Sequence, residues 1–238
     1  MSKINTLMLT GENNHDWTRS APFCRDLLEA SGDFVVTMVE NPSAALEDVV
    51  LLRDVALFFV DYNGTDWSEP AKANFERAVQ NGAGVVILHA ANNGFQGWTA
   101  MEEMAALMWR EGAGHGQYHE FTVNIVAPTH PITRGLPDFV IWDELYHRLT
   151  PMHNVPYTVL ATAYSNPEKG GTGNDEPVML VTRYGEGRVF HQVLGHVWPQ
   201  DFGGGYKGFT MATFENAGFQ RSLSRGCEWA ATGAVTLE

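Results

Sequence analysis

The stretch Ile4-Asn5-Thr6-Leu7-Met8-Leu9-Thr10 is a short apolar run that predicts a buried strand, and the polar Gly11–Trp17 segment that follows predicts a loop. Ala21, Cys24, Leu27 and Leu28 then recur at helical spacing, with Gly32 placed as the stop. Phe34–Val39 and Val55–Val60 read as the second and third strands. The third is apolar throughout, which suits a parallel strand covered on both faces. Ser68 is placed to cap a helix that starts Glu69-Pro70, buries Phe75, Ala78 and Val79, and ends at Gly82. Val85–Leu88 supplies the fourth strand. This alternation predicts an α/β fold with a doubly wound parallel sheet.

Beyond Gly112 the pattern changes. Phe121–Val126, Thr158–Ala163, Val178–Thr182 and Val189–Leu194 read as strands, and the turn Tyr184-Gly185-Glu186-Gly187 makes the last two an antiparallel hairpin. Phe219, Leu223, Cys227 and Trp229-Ala230 predict a closing helix. Neither a repeat nor a linker interrupts the 238 residues, so residues 1–238 are expected to form a single domain.

Composition narrows the partners. A formal net charge of −13, with no compensating Lys/Arg cluster, disfavours nucleic acid and anionic membranes. No apolar run approaches the roughly 20 residues that span a bilayer. Met1-Ser2-Lys3 runs directly into the first strand without the longer apolar core of a secretory leader, so a cytoplasmic location is expected. Cys24 and Cys227 both fall in helix patterns, which leaves no thiol-rich metal site or disulfide framework.

Ligands of open parallel sheets bind beyond the carboxyl ends of the strands. That rule selects His15 after the first strand, Asp61 at the end of the third, His89 at the end of the fourth and His196 after the hairpin. His119 and Asp143-Glu144 lie in less regular stretches. His115 and His119 have an i, i+4 spacing, but Gly114 and Gly116 argue against a helix there. His130, beside Pro131, reads as turn chemistry, and His153, between Pro151 and Pro156, as exposed loop. His89-Ala90-Ala91 sits where a strand-to-helix elbow would hold a Ser or Cys nucleophile, which argues against an amidase or esterase. What remains is acid–base and metal chemistry. His89 and His196 are candidate acid and base with Asp143 or Glu144 as partner, and His89, His119, Glu144 and His196 are the pool for a divalent metal such as zinc. His15, Trp17, Asp61, Asn92, His119 and Tyr146 are the candidate substrate contacts. Phe95, Trp98, Trp142, Trp198, Phe202 and Tyr206 add aromatic surface on which a sugar ring could stack, and the glycine-rich Phe202–Phe209 segment is a candidate lid.

The ordered set Asn14-His15-Asp16-Trp17, Leu88-His89-Ala90-Ala91, His119, His130-Pro131-Ile132, Asp143-Glu144-Leu145-Tyr146, Tyr184–Phe190 and Leu194-Gly195-His196 resembles the ThuA-like family. The resemblance implies a flavodoxin-like, class I glutamine amidotransferase-like three-layer sandwich, with a mostly parallel sheet and an antiparallel hairpin extension. It places His196 where the related amidotransferases keep a triad histidine and His89 near their cysteine, and it gives Arg188 a structural role behind the site. It also implies a place in the catabolism of trehalose or another disaccharide, alongside dehydrogenases that form 3-keto sugars. The expected activity is isomerisation, elimination or hydrolysis of a keto-glycoside; a non-catalytic carbohydrate-binding or regulatory domain is the alternative. The expected partner is a small carbohydrate, and the expected assembly a homodimer.

Overall fold

The computed structural model describes residues 3–199 and 209–237. Its strands are β1 (Ile4–Leu9), β2 (Phe34–Val39), β3 (Leu57–Val60), β4 (Gly84–Leu88), β5 (Leu107–Met108), β6 (Gly114–His115), β7 (His119–Ile125), β8 (Phe139–Asp143), β9 (Tyr146–His147), β10 (Thr150–Pro151), β11 (Thr158–Tyr164), β12 (Asp175–Tyr184) and β13 (Gly187–Gln192). The helices are α1 (Trp17–Ala30), α2 (Pro42–Glu47), α3 (Glu69–Gln80), α4 (Thr99–Ala105), α5 (Ala212–Glu215) and α6 (Ala217–Thr232). None of them is long and apolar enough to cross a membrane. The candidate lid lies almost wholly outside the described residues.

One sheet of nine strands carries the fold, in the order β2-β1-β3-β4-β13-β12-β11-β7-β8. The first five are parallel, with Leu9 beside Val60, Val60 beside Ile87 and Ile87 beside His191. From β13 outward every pairing is antiparallel. Each step reverses direction, so β8, four steps out, runs the same way as the parallel strands. Its carboxyl end, Asp143, therefore reaches the same rim as those of β1, β3, β4 and β13.

Period-two alternation sorts the sheet residues into two layers. Phe59 joins α1 and α6 through Cys24, Leu28, Phe219 and Leu223 on one face. Phe58 joins α3 and α4 through Phe75, Val79 and Met101 on the other. The result is the expected three-layer sandwich. Burying rings such as Phe58, Phe75 and Phe190 completely contributes about 2–3 kcal/mol each. Exposed ion pairs such as Arg25–Asp26 contribute about 0–1 kcal/mol, so the apolar layers decide stability. Gly226 permits a close contact between α6 and the sheet, because a Cβ there would overlap the Phe190 ring.

Local signals explain the boundaries. Ser68 caps α3 by accepting from the Ala71 amide. Arg188 Nε donates to the Trp229 and Ala230 carbonyls and its Nη2 to that of Ala231, satisfying the otherwise open end of α6. Cys24 and Cys227 are free and buried in α1 and α6, as expected. Sequence patterning missed β8. Phe139, Ile141 and Asp143 turn inward, but Val140 and Trp142 are apolar on the exposed face and mask the alternation.

Candidate functional site

Three loops at the carboxyl rim bring His15, His89 and His196 together, each buried. His89 occupies the elbow after β4 with φ +45°, a left-handed conformation that costs a β-substituted residue of order 1–3 kcal/mol. Gly195 makes room for it. At φ +143° it tolerates the turn, and a Cβ there would sit 2.9 Å from the His89 Cβ. His15 Nε2 lies 3.2 Å from His89 Nε2 and 3.2 Å from His196 Nδ1.

Hydrogen bonds to oxygen assign the tautomers of His15 and His89. His89 Nδ1 donates to the Val193 carbonyl at 2.6 Å. His15 Nδ1 donates to Asn14 Oδ1 at 3.1 Å. The Asn14 amide is itself oriented, since its oxygen accepts from Asn63 Nδ2, which also donates to the Ala90 carbonyl. His196 Nδ1 lies 3.0 Å from Glu144 Oε2 and 3.2 Å from His15 Nε2. His15 and His89 thus each keep an Nε2 lone pair, and these face each other at 3.2 Å, while His196 Nε2 is buried without a hydrogen bond. Opposed lone pairs repel unless a cation or proton lies between them. Imidazoles whose other nitrogen donates to a carboxylate or carbonyl are the usual state of histidine metal ligands. Burial, reinforced by the neighbouring histidines, holds His15 well below the ordinary imidazole range and lowers His89 to about 3, so both remain neutral.

Aromatic walls fix the rings. Trp198 stacks on His15 with centroids 4.6 Å apart, and Tyr146 stacks on His89 at 4.3 Å. Glu144 sits behind His196 and also reaches His115 Nδ1 at 3.5 Å.

Other candidates lie elsewhere. Asp61 is buried with both oxygens occupied, accepting from Ser20 Oγ at 2.6 Å and from Asn13 Nδ2 at 2.8 Å. It is not a hydroxyl contact but an anchor of the His15 loop, because Asn13 Oδ1 in turn accepts the His15 amide. Asp143 is likewise spent on the backbone. Oδ1 accepts the Glu144 amide at 2.6 Å and Oδ2 the Gly195 amide at 2.9 Å. Asn92 is fully buried and donates to His191 Nε2 in the core rather than toward a substrate. His119 turns Nδ1 to the Gln117 carbonyl and stands outside the convergent nitrogens. Trp17 is half-buried at the start of α1. Phe95 and Trp98 pack with Trp67 and Phe75, and Trp142 is an exposed partner of Glu120. His130 accepts the Ile132 amide within its turn, and the exposed-loop His153 pairs with buried Glu102.

A pH dependence follows from the buried groups. His191, fully buried against the Ala105 carbonyl, is lowered to about 4 from 6.5 by burial. Below pH 6.5 the unfolded chain takes up a proton there that the folded chain refuses, so stability falls as pH drops from 6.5 toward 4. Asp61 and Asp143, raised by burial to about 6 from 3.8, act oppositely, adding stability as pH falls through 6 toward 3.8. The histidines are therefore unopposed only near pH 6–7. A His191→Gln variant is expected to lose about 1 kcal/mol less stability than wild type between pH 7 and 5.5. Urea midpoints at each pH measure this; superimposable profiles would contradict it.

The family model described as trehalose utilisation, ThuA, matches residues 5–230. The chain belongs to the ThuA family. A solved ThuA-like protein from Parabacteroides merdae is 36% identical, covering 100% of this chain and 93% of its own, with a TM-score of 0.87. A cytoplasmic protein from Salmonella typhimurium is 13% identical over 95% of this chain and 98% of its own, with a TM-score of 0.61. A Rahnella β-galactosidase is 15% identical over 82% of this chain and 29% of its own, at 0.54. The last two share the fold alone. No curated protein matches the chain. In this ThuA chain, sequence reasoning found the three histidines but treated His15 as a substrate contact. It missed Asn63 and the Val193 carbonyl, whose roles depend on contacts between distant loops.

Proposed function

We propose that this ThuA protein is an enzyme of carbohydrate catabolism that acts on a keto-glycoside by acid–base chemistry assisted by a divalent metal such as zinc. The observation that carries the reading is the set of three buried imidazoles that each offer a nitrogen within 4.8 Å of the others, with the Nε2 lone pairs of His15 and His89 facing each other while their Nδ1 atoms are held by oxygens. The 3.2 Å spacing of the His15 and His89 nitrogens suits adjacent tetrahedral positions on zinc, about 3.3 Å apart for bonds of about 2.05 Å. His15, His89 and His196 would hold the ion, which as a Lewis acid polarises a carbonyl oxygen.

The chain supplies the rest. A keto group acidifies the neighbouring C–H, and a base that removes that proton starts isomerisation or expulsion of the glycosidic substituent. Glu144 Oε2, shared between His196 and His115, is the carboxylate oxygen beside the cluster. Tyr146 and Trp198 flank the histidines and restrict access of water. The family's description as trehalose utilisation agrees with a sugar as the substrate class. The absence of a fitting nucleophile at the His89 elbow excludes amidotransferase chemistry from the proposal. The acidic chain suits a small neutral ligand rather than nucleic acid, and a cytoplasmic location is part of the same reading.

Incubation with 3-keto-trehalose in D₂O, followed by proton NMR, tests it. Exchange of hydrogen beside the keto group, or glycoside cleavage, is expected with wild type and not with a His89→Ala, His196→Ala double variant. Equal turnover by the double variant would overturn the reading. Tight binding without exchange or cleavage would favour a carbohydrate-binding domain instead.

A further inference from the structure

His89 and His15 keep their protons by different means. The acceptor for His89 Nδ1 is the Val193 carbonyl, which belongs to the backbone and cannot turn over. The acceptor for His15 Nδ1 is the side-chain oxygen of Asn14, 3.1 Å away. A side-chain amide that turns over presents its NH₂ where its oxygen stood. Asn14 would then donate to His15 Nδ1, and the single proton of the neutral ring would move to Nε2. His15 Nε2 is the nitrogen 3.2 Å from His89 Nε2, so that proton would take the place of a cation. Asn14 is exposed, and water would serve its amide in either orientation.

Asn63, in the loop after β3, removes that freedom. Its Oδ1 accepts the Asn14 backbone N–H at 3.1 Å, and its Nδ2 donates to the Ala90 carbonyl at 3.1 Å. One partner is a backbone donor and the other a backbone acceptor, so the Asn63 amide has one orientation. The same Nδ2 meets Asn14 Oδ1 at 2.6 Å, which holds that oxygen where it accepts from His15. The Asn63 backbone N–H donates to the Glu12 carbonyl at 3.1 Å and ties its loop to the one that carries His15.

We infer that Asn63 is a positioning residue that fixes the His15 proton on Nδ1 and so keeps His15 Nε2 open to a divalent cation. The inference rests on the histidine cation site proposed above. Asn63 acts through Asn14, without a contact of its own to the ring.

Exchanging amide for carboxylate at two places tests it. Asn63→Asp keeps the acceptor for the Asn14 N–H but puts an oxygen where the donor stood. Asn14 should then turn its NH₂ toward that oxygen and toward His15 Nδ1. Asn14→Asp instead keeps an oxygen for both Asn63 and His15. Each variant adds one negative charge near the site, which by attraction alone would tighten cation binding in both. Two measurements at about pH 8, where carboxylates are ionised, separate the roles: nitrogen-15 NMR of the histidine rings in metal-free protein, and competition with a chromogenic chelator for zinc. Wild type and Asn14→Asp are expected to carry the His15 proton on Nδ1. Asn63→Asp is expected to carry it on Nε2 and to bind zinc about 10–100-fold more weakly, while Asn14→Asp binds at least as tightly as wild type. A proton on Nδ1 in Asn63→Asp, a proton on Nε2 in wild type, or equal zinc affinity in those two proteins would overturn the inference. A wild type that binds no zinc would overturn the cation site itself, a failure distinct from a misplaced proton because the tautomers are read without metal.

Discussion

A His15→Ala variant is expected to lose at least about a hundredfold in divalent-metal affinity, and turnover of a keto-glycoside with it. The magnitude follows from what the ring does. Its Nε2 is the nitrogen 3.2 Å from both neighbours, so removing it leaves two ligands on opposite sides of a gap. It also strips Trp198 of the ring on which it stacks. Asn14→Ala keeps the imidazole but removes the acceptor for its Nδ1–H, and should weaken metal binding by about 10–100-fold. Competition with a chromogenic chelator orders the three proteins. If His15→Ala binds metal as wild type does, the histidine cluster is not the site.

The second large effect concerns stability. Asp143→Ala removes the acceptor for two buried amides, those of Glu144 and Gly195. An unsatisfied buried donor costs about 1–3 kcal/mol, so a loss near 3 kcal/mol is expected, or a fall in Tm of about 9 °C for a chain of this size. Asp143→Asn retains one carbonyl oxygen and should lose about half as much. Because Gly195 precedes His196, Asp143→Ala should also displace the histidine and reduce metal affinity. An unchanged melting temperature would mean that the Gly195 turn is held by other contacts.

These two residues mark how far the sequence could be read. The strand runs, the Ser68 cap and the hairpin turn were legible because hydrophobic period and turn chemistry are local. The rule that ligands sit beyond strand carboxyl ends then selected His15, His89 and His196. Three further features depend on topology. The four-step antiparallel extension that returns Asp143 to the rim is invisible in composition. So is the fate of Asp61 and Asp143, which sit at strand ends like catalytic groups but spend their oxygens on Asn13, Ser20 and two amides. Asn92 looked like a site amide because it lies three residues after His89, yet the 3-10 turn rotates it into the core toward His191. His119 failed for a related reason. It shares a register position with Asp143, but its Nδ1 is used by a carbonyl two residues away.

The central claim is that His15, His89 and His196 form a cation site. Elemental analysis of tag-free protein purified without chelator, beside its His196→Ala variant, tests it most directly. A near-stoichiometric divalent ion in wild type that is missing from the variant is the predicted result. The same metal content in both proteins, or a wild type that neither retains nor takes up a divalent ion, would contradict it.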